Sequence, residues 1–201
     1  YKKKIKYLVS KKDKGIYDGF NKGYKIAKGD FIGIINSDDV YKKKAIETVV
    51  SYINKNKDID FIFGSVKKHY GLLYGYNAKK IQWSWNFYPA HSVGFFIKRK
   101  SANKIGKYNL KYKYCSDYDF LYRMVVKQKM HGVCTKKSEV LGNFAPNGFS
   151  TTINLFDLFL EEIKIRIDNN QNILMIAVFV LNKIVNNPLI LLRELKKKIQ
   201  S

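Results

Sequence analysis

Two pairs of carboxylates stand where they could do chemistry. Asp38 and Asp39 follow the apolar run Phe31-Ile32-Gly33-Ile34-Ile35 through Asn36-Ser37. A short apolar run bounded by turn residues suits a buried, parallel-type strand. In open α/β sheets, ligands bind beyond the carboxyl ends of such strands. Adjacent carboxylates there form a hard-oxygen site of the kind Mg²⁺ and Mn²⁺ prefer, with positions left for diphosphate oxygens. The same residues could instead cap a following helix, with Ser37, Asp38 or Asp39 as N-cap. The second pair lies in Cys115-Ser116-Asp117-Tyr118-Asp119-Phe120. One of its carboxylates could be a general base that takes a hydroxyl proton as a bond forms. Alternatively, Ser116 and Asp119 make a capping-box-like pair, with Asp117 favouring the helix dipole. Residue types alone leave both readings of both pairs open.

The elements that must position these residues follow from periodicity. Residues 5–9 read as a short strand, and residues 17–28 as a helix with Tyr17, Phe20, Tyr24 and Ala27 on one face. Gly29 stands where a C-cap belongs. A strand over 31–35 leads to the first acidic pair, and a helix over about 43–55 follows, with Ala45, Ile46, Val49, Val50 and Ile53 aligned. Residues 61–66 and 93–97 read as strands. Residues 117–129 read as a helix with Phe120, Leu121, Met124 and Val125 inward. Residues 132–134 and 140–141 read as closing strands, and 146–148 as a turn. Strand and helix alternate first, then strands dominate, which predicts an α/β domain with a mixed sheet. Residues 153–201 differ. They read as helices over 153–168, 172–185 and 188–199. The expected organisation is therefore a domain over 1–152 and a basic helical extension over 153–201.

The chain has 201 residues, 46% of them hydrophobic, which suffices for one domain with a real core. Its 38 Lys+Arg against 16 Asp+Glu leave a net charge of +22. The Lys residues are spread throughout, whereas a nucleic-acid binder usually concentrates its cations on one element, so nucleic acid is not an expected partner. An anionic membrane surface and a general Lys-rich composition both fit. The nine apolar residues 173–181 are too few for a membrane span, which needs about 20. With the basic run Arg193 to Lys198 they suit an interfacial helix, and the expectation is peripheral membrane contact through 172–199. Packing on the catalytic domain or a second subunit is the alternative. Cys115 and Cys134 form no metal-type or redox-type pair, which points to a reducing compartment.

Taken in order, the motifs resemble family 2 glycosyltransferases. Asp13-Lys14-Gly15-Ile16-Tyr17-Asp18-Gly19-Phe20-Asn21-Lys22-Gly23 is similar to that family's Asp-Lys-Gly-Ile-Tyr-Asp-Ala-Met-Asn-Lys-Gly signature. Ala27-Lys28-Gly29-Asp30, the apolar run and Ser37-Asp38-Asp39 follow, then His91 with Phe95-Phe96, Gly106-Lys107-Tyr108, and Ser116 to Phe120. Gly19 and Phe20 replace the usual Ala-Met. The resemblance covers about residues 5–152. It implies an inverting enzyme of the GT-A fold, a Rossmann-like nucleotide-diphospho-sugar transferase, using Mg²⁺ or Mn²⁺.

By that resemblance Asp117 is the catalytic base and Asp39 ligates the metal, while Asp38 shares it or contacts the ribose. Asp13, Lys14, Asp18 and Asn21 approach the nucleotide-sugar. His91, Trp83 and Trp85 lie on the acceptor side. The implied reaction passes a sugar, from a UDP-sugar, to a glycan or lipid-linked acceptor in cell-surface polysaccharide synthesis. Its setting would be the cytoplasm, peripheral on the inner membrane face. The family normally begins with a strand, a base-contacting Asp and a further strand–helix unit. The chain starts at Tyr1, so about the first 60 residues of such a domain are expected to be missing. Two competing classes are a basic module holding anionic membrane or nucleic acid, and a nucleotidyltransferase. The ordered acidic sites oppose the first. The second usually carries a Gly-rich, cationic loop after its first strand, a region outside this chain.

Overall fold

The computed structural model describes residues 5–83, 91–145, 154–186 and 188. The elements in chain order are α1 (Ile16–Ile26), β1 (Phe31–Gly33), β2 (Val40–Tyr41), α2 (Ala45–Lys55), β3 (Phe61–Phe63), β4 (Ser65–Lys68), β5 (Gly71–Leu73) and α3 (Ala78–Trp83). A 3₁₀ turn over Ser92–Gly94 leads into β6 (Phe95–Lys98), then α4 (Arg99–Ile105). Next is α5 (Ser116–Tyr122), which runs on into a π-type turn over Arg123–Lys127. β7 (Gly132–Cys134), β8 (Val140–Asn143), α6 (Leu155–Asp168) and α7 (Ile173–Asn186) complete the described chain.

The strands form two four-stranded sheets. The first has the order β1-β6-β3-β7 and the second β2-β8-β4-β5. In the first, β6 runs antiparallel to both β1 and β3, while β7 is parallel to β3. Hence β1, β3 and β7 point the same way. Alternate side chains leave opposite faces of a strand. Phe61, Phe63, Phe95 and Ile97 face the larger core cluster with residues of α1, α4 and α5, while Ile62 and Phe96 face Ala45 and Val49 of α2.

A single residue, Gly64, separates β3 in one sheet from β4 in the other. Its N–H donates to the Gly94 carbonyl at 2.7 Å. A Cβ on Gly94 would come within 2.7 Å of the Gly64 carbonyl oxygen and 2.5 Å of Val66, and a Cβ on Gly64 would collide with Leu141. The backbones cross here only because neither residue has a side chain.

Helix α6 packs on the preceding part of the chain. Tyr112 donates to Asp168 at 2.6 Å, and Asn169 donates to Asp119 at 2.9 Å. No helix among the described residues is long and apolar enough to cross a membrane.

Several local expectations change. Residues 5–9 form no strand; Ile5, Tyr7, Leu8 and Val9 are exposed. Alternation supplies a face but not a hydrogen-bonding partner, and no described strand lies beside them. Helix α1 is capped at its C-terminus by Ala27 rather than Gly29. The residue preceding α2 is Lys44, with no side-chain cap, so Ser37, Asp38 and Asp39 do not cap it. Nor does Ser116 cap α5: Cys115 holds that position, and the buried Ser116 hydroxyl has no hydrogen-bond partner among the described residues. The turn read over 146–148 and the helix read over 188–199 fall in segments outside the described residues, save residue 188 itself.

Candidate active site

The acidic loop leaves the carboxyl end of β1, and its two carboxylates are treated differently by the fold. The Asp39 side chain is 0% exposed. Its Oδ2 accepts from Asn36 Nδ2 at 3.0 Å, and its Oδ1 accepts from the Ala145 amide at 3.3 Å. Burial pushes its carboxyl above the usual range, opposed by the Ala145 amide, with the neighbouring charge of Asp38 adding to the rise. Asp38, by contrast, is exposed. Asp38 is therefore the carboxylate a dissolved ligand reaches, and Asp39 ties the loop to the chain just beyond β8.

His91 belongs to this same cluster. Its Nδ1 lies 2.9 Å from the Ser92 hydroxyl and 3.6 Å from Asp39 Oδ2, and Asn36 also donates to Ser92 at 2.9 Å. Burial, with Lys68 nearby, lowers the His91 pKa to about 4. The ring is thus neutral near pH 7, and the approach to Asp39 is not an ion pair. The imidazole packs 4.0 Å from the Phe144 ring. Trp83 ends α3, but its side chain, like the whole of Trp85, lies outside the described residues. Of the three residues expected on the acceptor side, His91 is the one whose side chain is described, and it stands against the acidic loop.

The second acidic site is built by α1 and α5. Gly15, at φ +104°, begins α1 in a conformation that side chains rarely adopt. Tyr17 in its first turn donates toward Asp117 Oδ1 at 2.9 Å and the Tyr114 carbonyl at 2.8 Å. Asp117 Oδ1 also accepts from the Tyr118 amide at 2.9 Å. Asp119 is 3% exposed and faces the other way, accepting from Arg123 and Asn169. Arg123 in turn donates to the Ile105 and Lys107 carbonyls. Asp119 is thus a structural clamp, whereas Asp117 is the carboxylate held by Tyr17. The capping pattern that suggested a Ser116–Asp119 pair had a tertiary cause instead.

The helix α1 signature divides in the same manner. Lys22 bridges Asp13 and Asp18, and Asp18 accepts from the Lys14 amide at 3.1 Å. Lys22 holds the Asp18 carboxyl below its usual range. These groups are a solvent-facing charge cluster. Asn21 instead makes a reciprocal pair with Tyr108, donating to its carbonyl at 2.9 Å and accepting from its amide at 2.8 Å. That bond pattern fixes the 108 turn, where Tyr108 stacks on Phe120 at 4.3 Å.

Topology brings the two acidic sites to one edge of the first sheet. Four residues join α1 to β1, and four join the π-type turn to β7. Each helix therefore runs back along the sheet, with its first turn toward the carboxyl ends of β1, β3 and β7. Tyr17 and Asp117 meet at that end, and β1 delivers Asp38 and Asp39 there. Asn36, Ser92 and Tyr17 were not foreseen as site residues. Asn36 and Tyr17 lie inside the motifs, and their company was the available signal.

Residues 1–126 match the sequence model described as Glycosyl transferase family 2. The chain belongs to that family. A PGL/p-HBAD biosynthesis glycosyltransferase of Mycobacterium tuberculosis is 27% identical over 139 residues, covering 65% of this chain and 53% of the relative. An uncharacterized glycosyltransferase of Methanocaldococcus jannaschii is 27% identical over 132 residues, covering 61% and 45%. The chain spans about half the length of these family relatives. Among solved structures, S. aureus TarS 1–349 in complex with UDP-GlcNAc superposes with a TM-score of 0.61 at 14% identity, covering 88% of this chain and 55% of TarS 1–349. The same fragment has been solved with UDP, with a TM-score of 0.56. The family's GT-A fold, a mixed α/β architecture, is the one observed.

A divalent cation fits the donor set at the acidic loop. Among the described residues no cluster of three or more His, Cys, Asp or Glu could hold a metal by itself. Mg²⁺-type sites need no such cage, because one or two carboxylates suffice when substrate phosphates and water complete the shell.

Proposed function

We propose that this chain carries the donor loop and catalytic base of an inverting glycosyltransferase. The donor is a UDP-sugar, and the acceptor is a glycan or lipid-linked hydroxyl in cell-surface polysaccharide synthesis. One observation carries the reading: the exposed carboxylate after β1 and the Tyr17-held Asp117 share one edge of the parallel strands, where open α/β sheets bind ligands.

Asp38, with Asp39 behind it, would hold Mg²⁺ or Mn²⁺, and that cation would neutralise the departing diphosphate. The charge cluster of Asp13, Lys14 and Asp18 borders the nucleotide. Asp117 takes the proton of the acceptor hydroxyl as the oxygen attacks the anomeric carbon. Attack opposite the leaving group inverts the configuration in one step, as in inverting hydrolysis. His91, neutral, steadies the acidic loop from the acceptor side. Peripheral contact with the inner membrane face, through 172–199, suits a lipid-linked acceptor.

The test is UDP-sugar binding by calorimetry with and without Mn²⁺, followed by an acceptor screen with Asp117→Asn as control. Metal-dependent binding and transfer abolished in Asp117→Asn are expected. Transfer that survives Asp117→Asn would sink the assignment of the base.

A further inference from the structure

The carboxylate of Glu161, on α6, accepts three consecutive backbone N–H groups of the segment that leads into α5. Oε1 accepts from Lys113 at 2.6 Å, and Oε2 accepts from Tyr114 at 2.6 Å and Cys115 at 2.7 Å. Hydrogen bonds to an ionised acceptor are short and about twice as strong as neutral ones. Three together fix a peptide segment that no helix or strand holds.

That segment sets the base. The Tyr114 carbonyl and Asp117 Oδ1 share the one proton of the Tyr17 hydroxyl. Moving the 114 peptide therefore moves the hydroxyl, and with it the hydrogen bond to Asp117. Cys115 is the N-cap of α5, and its amide is one of the three that Glu161 holds, so that grip bears on the direction in which α5 starts. Glu161 lies outside residues 1–126, the part matched to the family.

We infer that Glu161 is a positioning residue for Asp117, which makes the C-terminal helical segment a working part of the catalytic apparatus. The inference rests on Asp117 being the base. Gln at 161 keeps the shape but replaces one acceptor oxygen by an NH₂ group, which must face either the Lys113 N–H or the Tyr114 and Cys115 pair.

The experiment compares wild type, Asp117→Asn and Glu161→Gln in the full chain. UDP release from UDP-glucose and UDP-N-acetylglucosamine is followed, together with amide exchange at residues 113–115. Glu161→Gln is expected to lower kcat by about 10- to 100-fold while the donor KM stays within about twofold, as for a misplaced catalytic group. Its three amides should exchange about tenfold faster or more, the sign of a local opening. Unchanged kcat beside a dead Asp117→Asn would overturn the role of Glu161 and leave the base intact. Loss of kcat and donor binding together, in step with a lower Tm, would overturn it as well, as a general folding effect. Full activity of Asp117→Asn would remove the base itself. Where neither donor is turned over, unchanged exchange at the three amides would overturn the inference by itself.

Discussion

Tyr17 and Asp117 are 100 residues apart in the chain and 2.9 Å apart in space, joined by the tyrosine hydroxyl. Burial, with Asp117 beside it, raises the Tyr17 pKa well above the usual phenol value, so this hydroxyl stays a donor at every working pH. Tyr17→Phe removes only the oxygen, since the ring keeps its contacts with Phe20 and Tyr108. A hydrogen bond to a charged group contributes about 1.5–3 kcal/mol, so turnover should fall roughly 10- to 100-fold. Steady-state kinetics should show this in kcat with donor KM unchanged. Equal kcat values for the two proteins would remove Tyr17 from the mechanism.

The two carboxylates of the acidic loop should separate experimentally. Asp38→Ala should lose Mn²⁺-dependent donor binding at an unchanged melting temperature, because its side chain is exposed. Asp39→Ala should lower the melting temperature as well, since Asn36 and the Ala145 amide lose an acceptor. Calorimetry and thermal melting of the pair decide the matter. A stable Asp39→Ala beside an unstable Asp38→Ala would reverse the two roles.

Asn21 is expected to matter for stability before binding. Asn21→Ala leaves the Tyr108 amide and carbonyl without partners, at a cost of about 1–3 kcal/mol. Asn21→Asp should do no better, because a carboxylate cannot donate to the Tyr108 carbonyl. Urea unfolding measures both. A stability loss below about 0.5 kcal/mol would mean that water replaces the pair without penalty.

Local sequence pattern matches the structure where pattern and tertiary packing coincide. Phe31 to Ile35 read as one buried, parallel-type strand; only Phe31–Gly33 forms β1, a half-buried edge strand paired antiparallel with β6, and Ile34-Ile35 already belong to the loop that carries the aspartates. The order of motifs then carried the fold. Reading failed where one residue type serves two purposes. Ser116 and Asp119 carry a capping spacing, yet Asp119 reaches Arg123 and Asn169 instead. Residues 5–9 alternate like a strand, but pairing is a property of two segments. Gly64 looked like the middle of one strand, because nothing local says that Gly94 and Leu141 crowd it. Glu161 was invisible for the same reason: no periodicity links a helix carboxylate to three amides 46 to 48 residues earlier.

Alkaline pH should unfold the protein early. Tyr24, Tyr41 and Tyr76 are each pushed up to about 12 by burial, against an ordinary value of 10.0. A raised native pKa favours the protonated phenol in the folded chain. Its contribution to stability is complete below pH 10 and is lost as pH climbs toward 12, because the unfolded chain ionises first. Unfolding free energy should therefore drop steeply between about pH 10 and 12. Phenolate absorbance for part of the tyrosines should appear only with the loss of structure. Complete titration near pH 10 in a still-folded protein would contradict the half-buried placements of these three rings.

The strand that crosses between sheets at Gly64 has a mechanical corollary. The acidic loop hangs from β1 in one sheet and ends at β2 in the other, and Asp39 rivets it to Ala145, just past the end of β8. The loop is therefore strung like a cable between two plates that are also welded at Gly64. A substitution at Gly64 that changed the angle between the sheets would thus pull on the loop that carries both aspartates, although Gly64 lies far along the chain from either.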